Sequence, residues 1–263
     1  MSSSSSSATG SSNLSVLVLG ATGRDPPSSC YSRAVGKALV RDLLKQGVYE
    51  KVVTVGRKEV KLDDNVPKDK LVQKIVDFEN LEEYRAVFRG VDVVFSCLGT
   101  TLAQAGGAAP FVKIDHDYVV NSAKIIAEEN PAKTQDELSP VHYLYCSAQG
   151  ANKNAFFLYY QTKGNTESDL ADVGFSRVSI FRSALLEIEE ERPQLRLLET
   201  IGRMVVSTLG ITFLSAPVAT VGRAMINASL NKWRGLQINQ EKNAKGTKVE
   251  IFNNAQILQL GKE

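Results

Sequence analysis

Apolar and polar positions along this chain fall into blocks that switch repeatedly between two periods. "LSVLVLG" (residues 14–20) is a continuous apolar run closed by glycine, the pattern of a strand covered on both faces. "AVGKALVRDLLKQG" spaces its apolar residues as one face of a helix does and stops at Gly47, a residue suited to a C-cap. "KVVTVGR" and "KLVQKIVDF" read as second and third strands, the latter leading into a helix through "ENLEEYRAVFRG". "VDVVFSCLG" is a fourth strand, followed by a long helix over about Phe111 to Glu129. "VHYLYCS" is a fifth strand, "FFLYYQTKGNTESDLADVG" a further helix and "FSRVSIFR" a sixth strand. Strand and helix taking turns predict an α/β fold with a doubly wound parallel sheet.

After about Ser183 the rhythm loosens. "EIEEERPQ" is a charged, solvated stretch, while "RLLETIGRMVVSTLG" and "APVATVGRAMINASL" carry helical patterns. "KVEIFNNAQILQL" reads as a short strand and a terminal helix. Residues 184–263 are expected to form a small helical extension on the substrate side of a single domain spanning 14–263, beside the carboxyl ends of the strands. The opening "MSSSSSSATGSSN", residues 1–13, has the low complexity of a disordered tail.

The first strand–helix corner is unusual. It reads "VLVLGATGRDPPSSCYSRAVGKALV", and removing Arg24 to Arg33 closes it to "VLVLGATGAVGKALV". A strand, G-x-x-G-x-x-G and a helix make a phosphate-binding turn. Gly20 would permit the tight turn, Gly23 would let the backbone approach a pyrophosphate with Thr22 beside it, and Gly36 would let the helix pack against the strand. Free N–H groups at the helix start would meet the phosphates. The alternative is a glycine-rich corner without a ligand.

Pro26 and Pro27 cannot extend a helix backwards, so residues 24–33 are expected as a loop insertion. Ser32 would then cap a helix starting near Arg33. The loop either bulges away from the phosphate site or falls across it, or it belongs to a spliced variant of the chain. Long surface insertions cost little, with each doubling of loop length adding ~0.6 kcal/mol. A chain lacking Arg24 to Arg33 is therefore expected to bind NADPH at least as tightly as the full chain. Weaker binding in a fluorescence titration would make the loop part of the site.

At the end of the second strand an acid would suit the ribose hydroxyls of NAD, and a cation the 2′-phosphate of NADP. "TVGRKEV" places Arg57 and Lys58 there, and arginine can bond two phosphate oxygens at once. NADP is the cofactor this predicts; the alternative is a pair of solvated strand-end charges. Asp77, closing the third strand, could reach an adenine amino group or cap a helix.

Composition narrows the field. The chain has 263 residues, 43% apolar and 23% charged, with a net charge of +2. That is ordinary for a globular domain and too weakly basic for a nucleic-acid surface. Cys30, Cys97 and Cys146 suggest neither a disulfide framework nor a metal site, as suits a reducing, cytoplasmic setting. His116 and His142 lie too far apart in sequence to suggest zinc. No apolar run reaches the ~20 residues needed to span a bilayer.

The chemistry sits in "YLYCSAQGANKNAFFLYYQTKG". Tyr159 and Lys163 are one helical turn apart, and Ser147 ends the fifth strand twelve residues earlier. A nearby ammonium lowers a tyrosine's pKa and readies it for proton transfer. Serine can hydrogen-bond a carbonyl or alcohol oxygen. Tyr160 lacks the required offset and is expected to be a packing residue. The alternative leaves Tyr159 or Tyr160 in the core and Lys163 on the surface.

These stretches, with "VTVGRK", "VDFENL", "SCLGTT", "FVKIDHDYV" and "APVATVGRAMI", resemble the atypical branch of the short-chain dehydrogenase/reductase superfamily. Within it, the chain is similar to the Tat-interacting, oxidoreductase-like metastasis suppressors of animals and their fungal relatives on the mitochondrial outer membrane. The resemblance implies a Rossmann fold, NADPH, and Ser147, Tyr159 and Lys163 as proton-transfer machinery acting on a small-molecule carbonyl substrate. It places Leu98, Gly99 and Thr100 along the cofactor. It further implies protein partners, as in the animal members, and peripheral membrane association, as in the fungal ones. One departure is visible: a common "F-R-P-G" reads "FRSA" here, from Phe181 to Ala184. A second functional class stays open, a protein that binds NADPH as a regulatory or scaffold element with little turnover.

Overall fold

A computed structural model of the chain describes residues 12–22, 31–134, 137–187, 215–233 and 235–262. The strands are β1 (Ser12–Leu19), β2 (Tyr49–Gly56), β3 (Leu71–Ile75), β4 (Val93–Ser96), β5 (Ser139–Ala148), β6 (Phe175–Ser183), β7 (Leu185–Glu187), β8 (Ser215–Pro217), β9 (Asn239–Lys242) and β10 (Lys248–Asn253). Among the described residues the helices are α1 (Tyr31–Gln46), α2 (Leu102–Ala105), α3 (Ala108–Val112), α4 (Tyr118–Glu129), α5 (Leu158–Ala171), α6 (Val218–Ser229) and α7 (Asn254–Leu260). Leu81–Phe88 is 3₁₀-helical and Lys113–Asp117 is a π-helical turn.

The main sheet has eight strands in the order β3-β2-β1-β4-β5-β6-β10-β9. All neighbours pair in parallel except β9 with β10. This is the doubly wound Rossmann-type sheet that the alternation predicts, with the order reversing at β1. The continuous apolar run of β1 has a simple cause. Val16, Leu17, Val18 and Leu19 are fully buried, and alternate residues enter two separate cores. Val16 and Val18 pack with α1, α6 and α7; Leu17 and Leu19 pack with the 3₁₀ helix, α4 and α5.

Several expectations shift. β1 begins at Ser12, inside the segment expected to be disordered. α1 begins at Tyr31, so Ser32 lies within the helix rather than capping it, and the last three residues of the insertion are helical. No proline follows Pro27 in this stretch, and α1 starts two residues before the expected Arg33. The long helix over Phe111 to Glu129 is interrupted by the π turn. The C-terminal segment adds two strands to the main sheet, β10 beside β6 and β9 at the edge, and α7 carries a full capping box from Asn253 and Gln256. The "EIEEERPQ" stretch beyond Glu187 and the helical pattern "RLLETIGRMVVSTLG" fall outside the described residues. Among the described residues no helix is long and apolar enough to cross a membrane.

Candidate active site

The carboxyl ends of β1, β2 and β4 converge at the point where the strand order reverses. There a crevice is lined by Gly20, Thr22, Gly56, Arg57, Phe78, Leu98, Gly99, Ile114 and Tyr118. Gly20 turns with φ +83°, and a Cβ there would lie 2.4 Å from the Cys97 carbonyl. A Cβ on Gly36 would come within 2.7 Å of the Gly20 oxygen, which brings α1 against the turn as its place in the motif requires. A Cβ on Gly56 would meet Thr22 Oγ1 at 2.4 Å. The crevice is thus kept clear by missing side chains, as a dinucleotide seat needs. Gly23 and the rest of the interruption up to Cys30 lie outside the described residues.

Arg57 and Lys58 are both exposed at the end of β2, but only Arg57 lines the crevice. Asp77 is not the helix cap. Its carboxylate accepts from the Glu79 N–H (3.0 Å) and from Asn80 Nδ2 (2.9 Å), shaping the turn into the 3₁₀ helix. An Asx side chain bonding the backbone two residues on is the favoured local geometry, and it leaves Asn80 at the cap.

Lys163 is in the core, not on the surface: only 3% of it is exposed. Its ammonium donates to Tyr145 Oη at 3.1 Å and lies 3.0 Å from Asp115 Oδ1, close enough for an ion pair though not aligned as a hydrogen bond. Burial opposes its charge, but the Asp115 carboxylate and the Tyr145 and Tyr159 oxygens outweigh that and hold its pKa well above the usual lysine value. Burial lifts the Asp115 carboxyl, with Lys163 and the Thr100 N–H acting in the opposite sense. Burial also pushes the Tyr145 hydroxyl upward, so it stays a neutral acceptor for Lys163.

Tyr159 is half-buried, one turn before Lys163, with its ring 5.8 Å from Phe111 and 5.3 Å from Tyr160. Tyr160 packs edge-on against Tyr159, on the surface rather than in the core. It is exposed and lies against Gly150, because the face of α5 one residue on from Tyr159 looks outward.

Ser147 is buried, but it is not poised as a donor toward a substrate carbonyl. Its Oγ donates to Glu167 Oε1 at 2.6 Å, and Arg182 clamps the same carboxylate at 3.1, 3.2 and 2.6 Å. Of the "FRSA" stretch, Arg182 makes this clamp and the Ala184 N–H is held by Asn254 Oδ1 at 2.9 Å. Thr100 sits on the loop after β4, its N–H donating to Asp115 Oδ2 at 2.7 Å.

The reading of the residues missed Asp115, Tyr145 and Glu167. The signals were present. Glu167 continues the spacing of Tyr159 and Lys163 by one more turn. Tyr145 shares the strand face of Ser147. Asp115 falls four residues from both Phe111 and Val119, at a buried register of an apolar helix face. Cys97 and Cys146 are free and buried, and among the described residues no cluster of His, Cys, Asp and Glu could hold a metal ion.

With this geometry in place, similarity to known proteins is informative. The chain is 34% identical to the protein HTATIP2 of Rattus norvegicus over 256 residues, covering 95% of this chain and 90% of that one. It is 30% identical over 197 residues to the mitochondrial protein FMP52 of Candida albicans, covering 75% and 76% respectively. A UDP-glucose 4-epimerase of Thermotoga maritima, solved with UDP-glucose, shares the fold at a TM-score of 0.58 and 15% identity, covering 95% of this chain and 82% of that one. The NAD(P)H-binding family matches residues 32–199, starting in the first turn of α1. The crevice at the strand-order reversal, the glycines that keep it clear and these matches agree: the chain belongs to the NAD(P)H-binding family and is a homologue of HTATIP2 and FMP52.

Proposed function

We propose that the protein is an NADPH-dependent oxidoreductase of the short-chain dehydrogenase/reductase type that reduces a small carbonyl compound. The observation that carries this reading is Lys163, a buried ammonium one turn after Tyr159 and tied through Asp115 to the loop that borders the cofactor crevice. A buried lysine is costly and needs a role or a partner. Here it has both: Asp115 is the partner, and the ammonium, one turn from Tyr159, has a further donor available to a ribose hydroxyl. NADPH, when bound, would supply the hydride, and Tyr159 is placed to give the proton to the substrate oxygen. Ser147 has its own hydrogen on Glu167 and so offers only lone pairs, able to accept from the alcohol that forms. The carbonyl oxygen therefore takes its hydrogen bond from Tyr159 alone.

Fluorescence titration with NADPH tests the cofactor half of the reading. NADPH oxidation against aldehydes, ketones and quinones tests the other half. Arg57 is the 2′-phosphate ligand in this reading. Arg57→Ala is expected to weaken NADPH by a factor of about ten or more, since hydrogen bonds to charged groups contribute ~1.5–3 kcal/mol. NADH should change little, and equal losses for both cofactors would refute the assignment. Lys58 would contribute only a screened surface charge.

One observation favours a second reading, a regulatory or scaffold protein that binds NADPH without turnover: the Ser147 proton is already committed to Glu167. Binding without oxidation across the whole panel would select it. We also propose a cytoplasmic site with peripheral attachment to the mitochondrial outer membrane, suggested by the word "mitochondrial" in the names of the fungal relatives.

A further inference from the structure

Asp115 is fully buried and lies in the π-helical turn between α3 and α4. Single π turns inside α-helices cost hydrogen-bond geometry and occur often at functional sites. This one brings the Asp115 carboxylate between two elements that share no chain segment. Oδ2 accepts the Thr100 N–H from the loop after β4 at 2.7 Å, and Oδ1 faces the Lys163 ammonium of α5 at 3.0 Å. Thr166, also on α5, bonds the Asp115 carbonyl oxygen at 3.1 Å, so the π turn is fastened to α5 at two points.

We propose that Asp115 is a positioning residue that ties the cofactor-side loop to Lys163 and supplies the counter-charge under which Lys163 can sit buried as an ammonium. The proposal rests on the reading of Lys163 as a cofactor and proton-transfer residue. Asp115 itself touches no reacting atom. It fixes the spacing between Leu98–Gly99, which line the crevice, and the lysine one turn beyond Tyr159.

The charge balance around Lys163 follows from its neighbours. The π turn contributes Asp115, and β5 contributes Tyr145 and Cys146. The end of β4 contributes Cys97, and α5 itself contributes Tyr159. Glu167, also on α5, is occupied by Ser147 and Arg182. Tyr145 and the two cysteines are buried, and Asp115 is the one carboxylate whose ion pair with Lys163 the structure contains among the described residues.

The test needs no substrate. NADPH binding is measured by fluorescence across the alkaline range for the wild-type protein, Asp115→Asn and Asp115→Ala. Asparagine keeps the shape and an acceptor for Thr100 but removes the charge. An opposite charge at this distance shifts a pKa by about 1–3 units, so in Asp115→Asn the loss of NADPH binding with rising pH should begin about one pH unit or more earlier. The sign follows from Lys163, which without its counter-charge gives up its proton at lower pH. At neutral pH Asp115→Asn should bind within about threefold of wild type, because both acceptor and ammonium remain. Asp115→Ala also loses the loop anchor and should bind about tenfold more weakly. Circular dichroism checks each variant for folding. If the alanine variant does not fold, the near-isosteric asparagine variant carries the test alone. An unmoved alkaline limb in Asp115→Asn overturns the proposal, since a merely structural side chain would leave that limb in place. A wild-type protein that binds no NADPH at any pH overturns the functional reading and this proposal with it; the two failures are therefore told apart by the wild-type curve.

Discussion

Gly20→Ala is expected to abolish NADPH binding and to lower the unfolding midpoint. Two costs add at this position. An L-residue forced to φ +83° is strained by about 1–2 kcal/mol. The new methyl carbon would also lie 2.4 Å from the Cys97 carbonyl carbon and oxygen and 2.5 Å from the Leu98 nitrogen. These are backbone atoms of the neighbouring strand end and cannot swing aside as a side chain can. Overpacking of this kind costs a further ~1–3 kcal/mol. A total of about 2–5 kcal/mol lies below the ~5–15 kcal/mol that holds a typical domain together. The chain should therefore still fold, with a midpoint lower by roughly 5–15 °C. Relief of the overlap must push the β4 end outward, and with it Leu98 and Gly99, which line the crevice. Gly90→Ala is the control. Gly90 also has a positive φ, +68°, but a Cβ there meets nothing within 4 Å. That variant should lose only the strain energy and bind NADPH normally. If Gly20→Ala behaves like Gly90→Ala in both thermal unfolding and NADPH titration, the close approach of β1 and β4 is not what the site depends on.

The same comparison shows why parts of this molecule were legible in sequence and others were not. Periodicity is a local signal, and the buried strands β1, β4 and β5 announce themselves by apolar runs because both faces of the sheet are covered. Gly20 and Gly36 were legible because their spacing follows from turn geometry. Their contact, the Gly20 oxygen against Gly36, survives an interruption whose described end simply extends α1. Tyr159 and Lys163 were legible because one helical turn separates them. The register of Asp115 shows its burial, but not its task, because its partners, Thr100 and Lys163, come from other elements and the π turn that aims it at them leaves no trace in the apolar pattern. The bond from Ser147 to Glu167 was hidden for the same reason: it spans β5 and α5. Pairing partners of β10 were likewise non-local, so a strand that reads as an isolated segment of the tail proves to lie beside β6 in the main sheet.

Tyr159→Phe should lower carbonyl reduction by about 10²–10⁴, the range in which a positioned proton donor contributes, while leaving NADPH affinity nearly unchanged. The two readouts separate because the phenol has two parts. Its ring packs 5.8 Å from Phe111 and 5.3 Å from Tyr160, and phenylalanine keeps both contacts. Its hydroxyl is the only donor to the substrate oxygen in the proposed scheme, because Ser147 has placed its hydrogen on Glu167. With the Ser147 hydrogen committed in this way, the loss should fall at the upper part of that range. Ser147→Ala distinguishes the cases. Where serine only accepts, its removal costs less than losing the tyrosine. Where serine breaks from Glu167 and donates to the carbonyl, the two variants cost the same and the scheme must be redrawn around Ser147. Turnover that survives Tyr159→Phe intact, with NADPH still bound, would remove Tyr159 as the proton donor and leave Lys163 as a cofactor ligand only; binding without any turnover in the unaltered protein would place it among nucleotide-binding regulators.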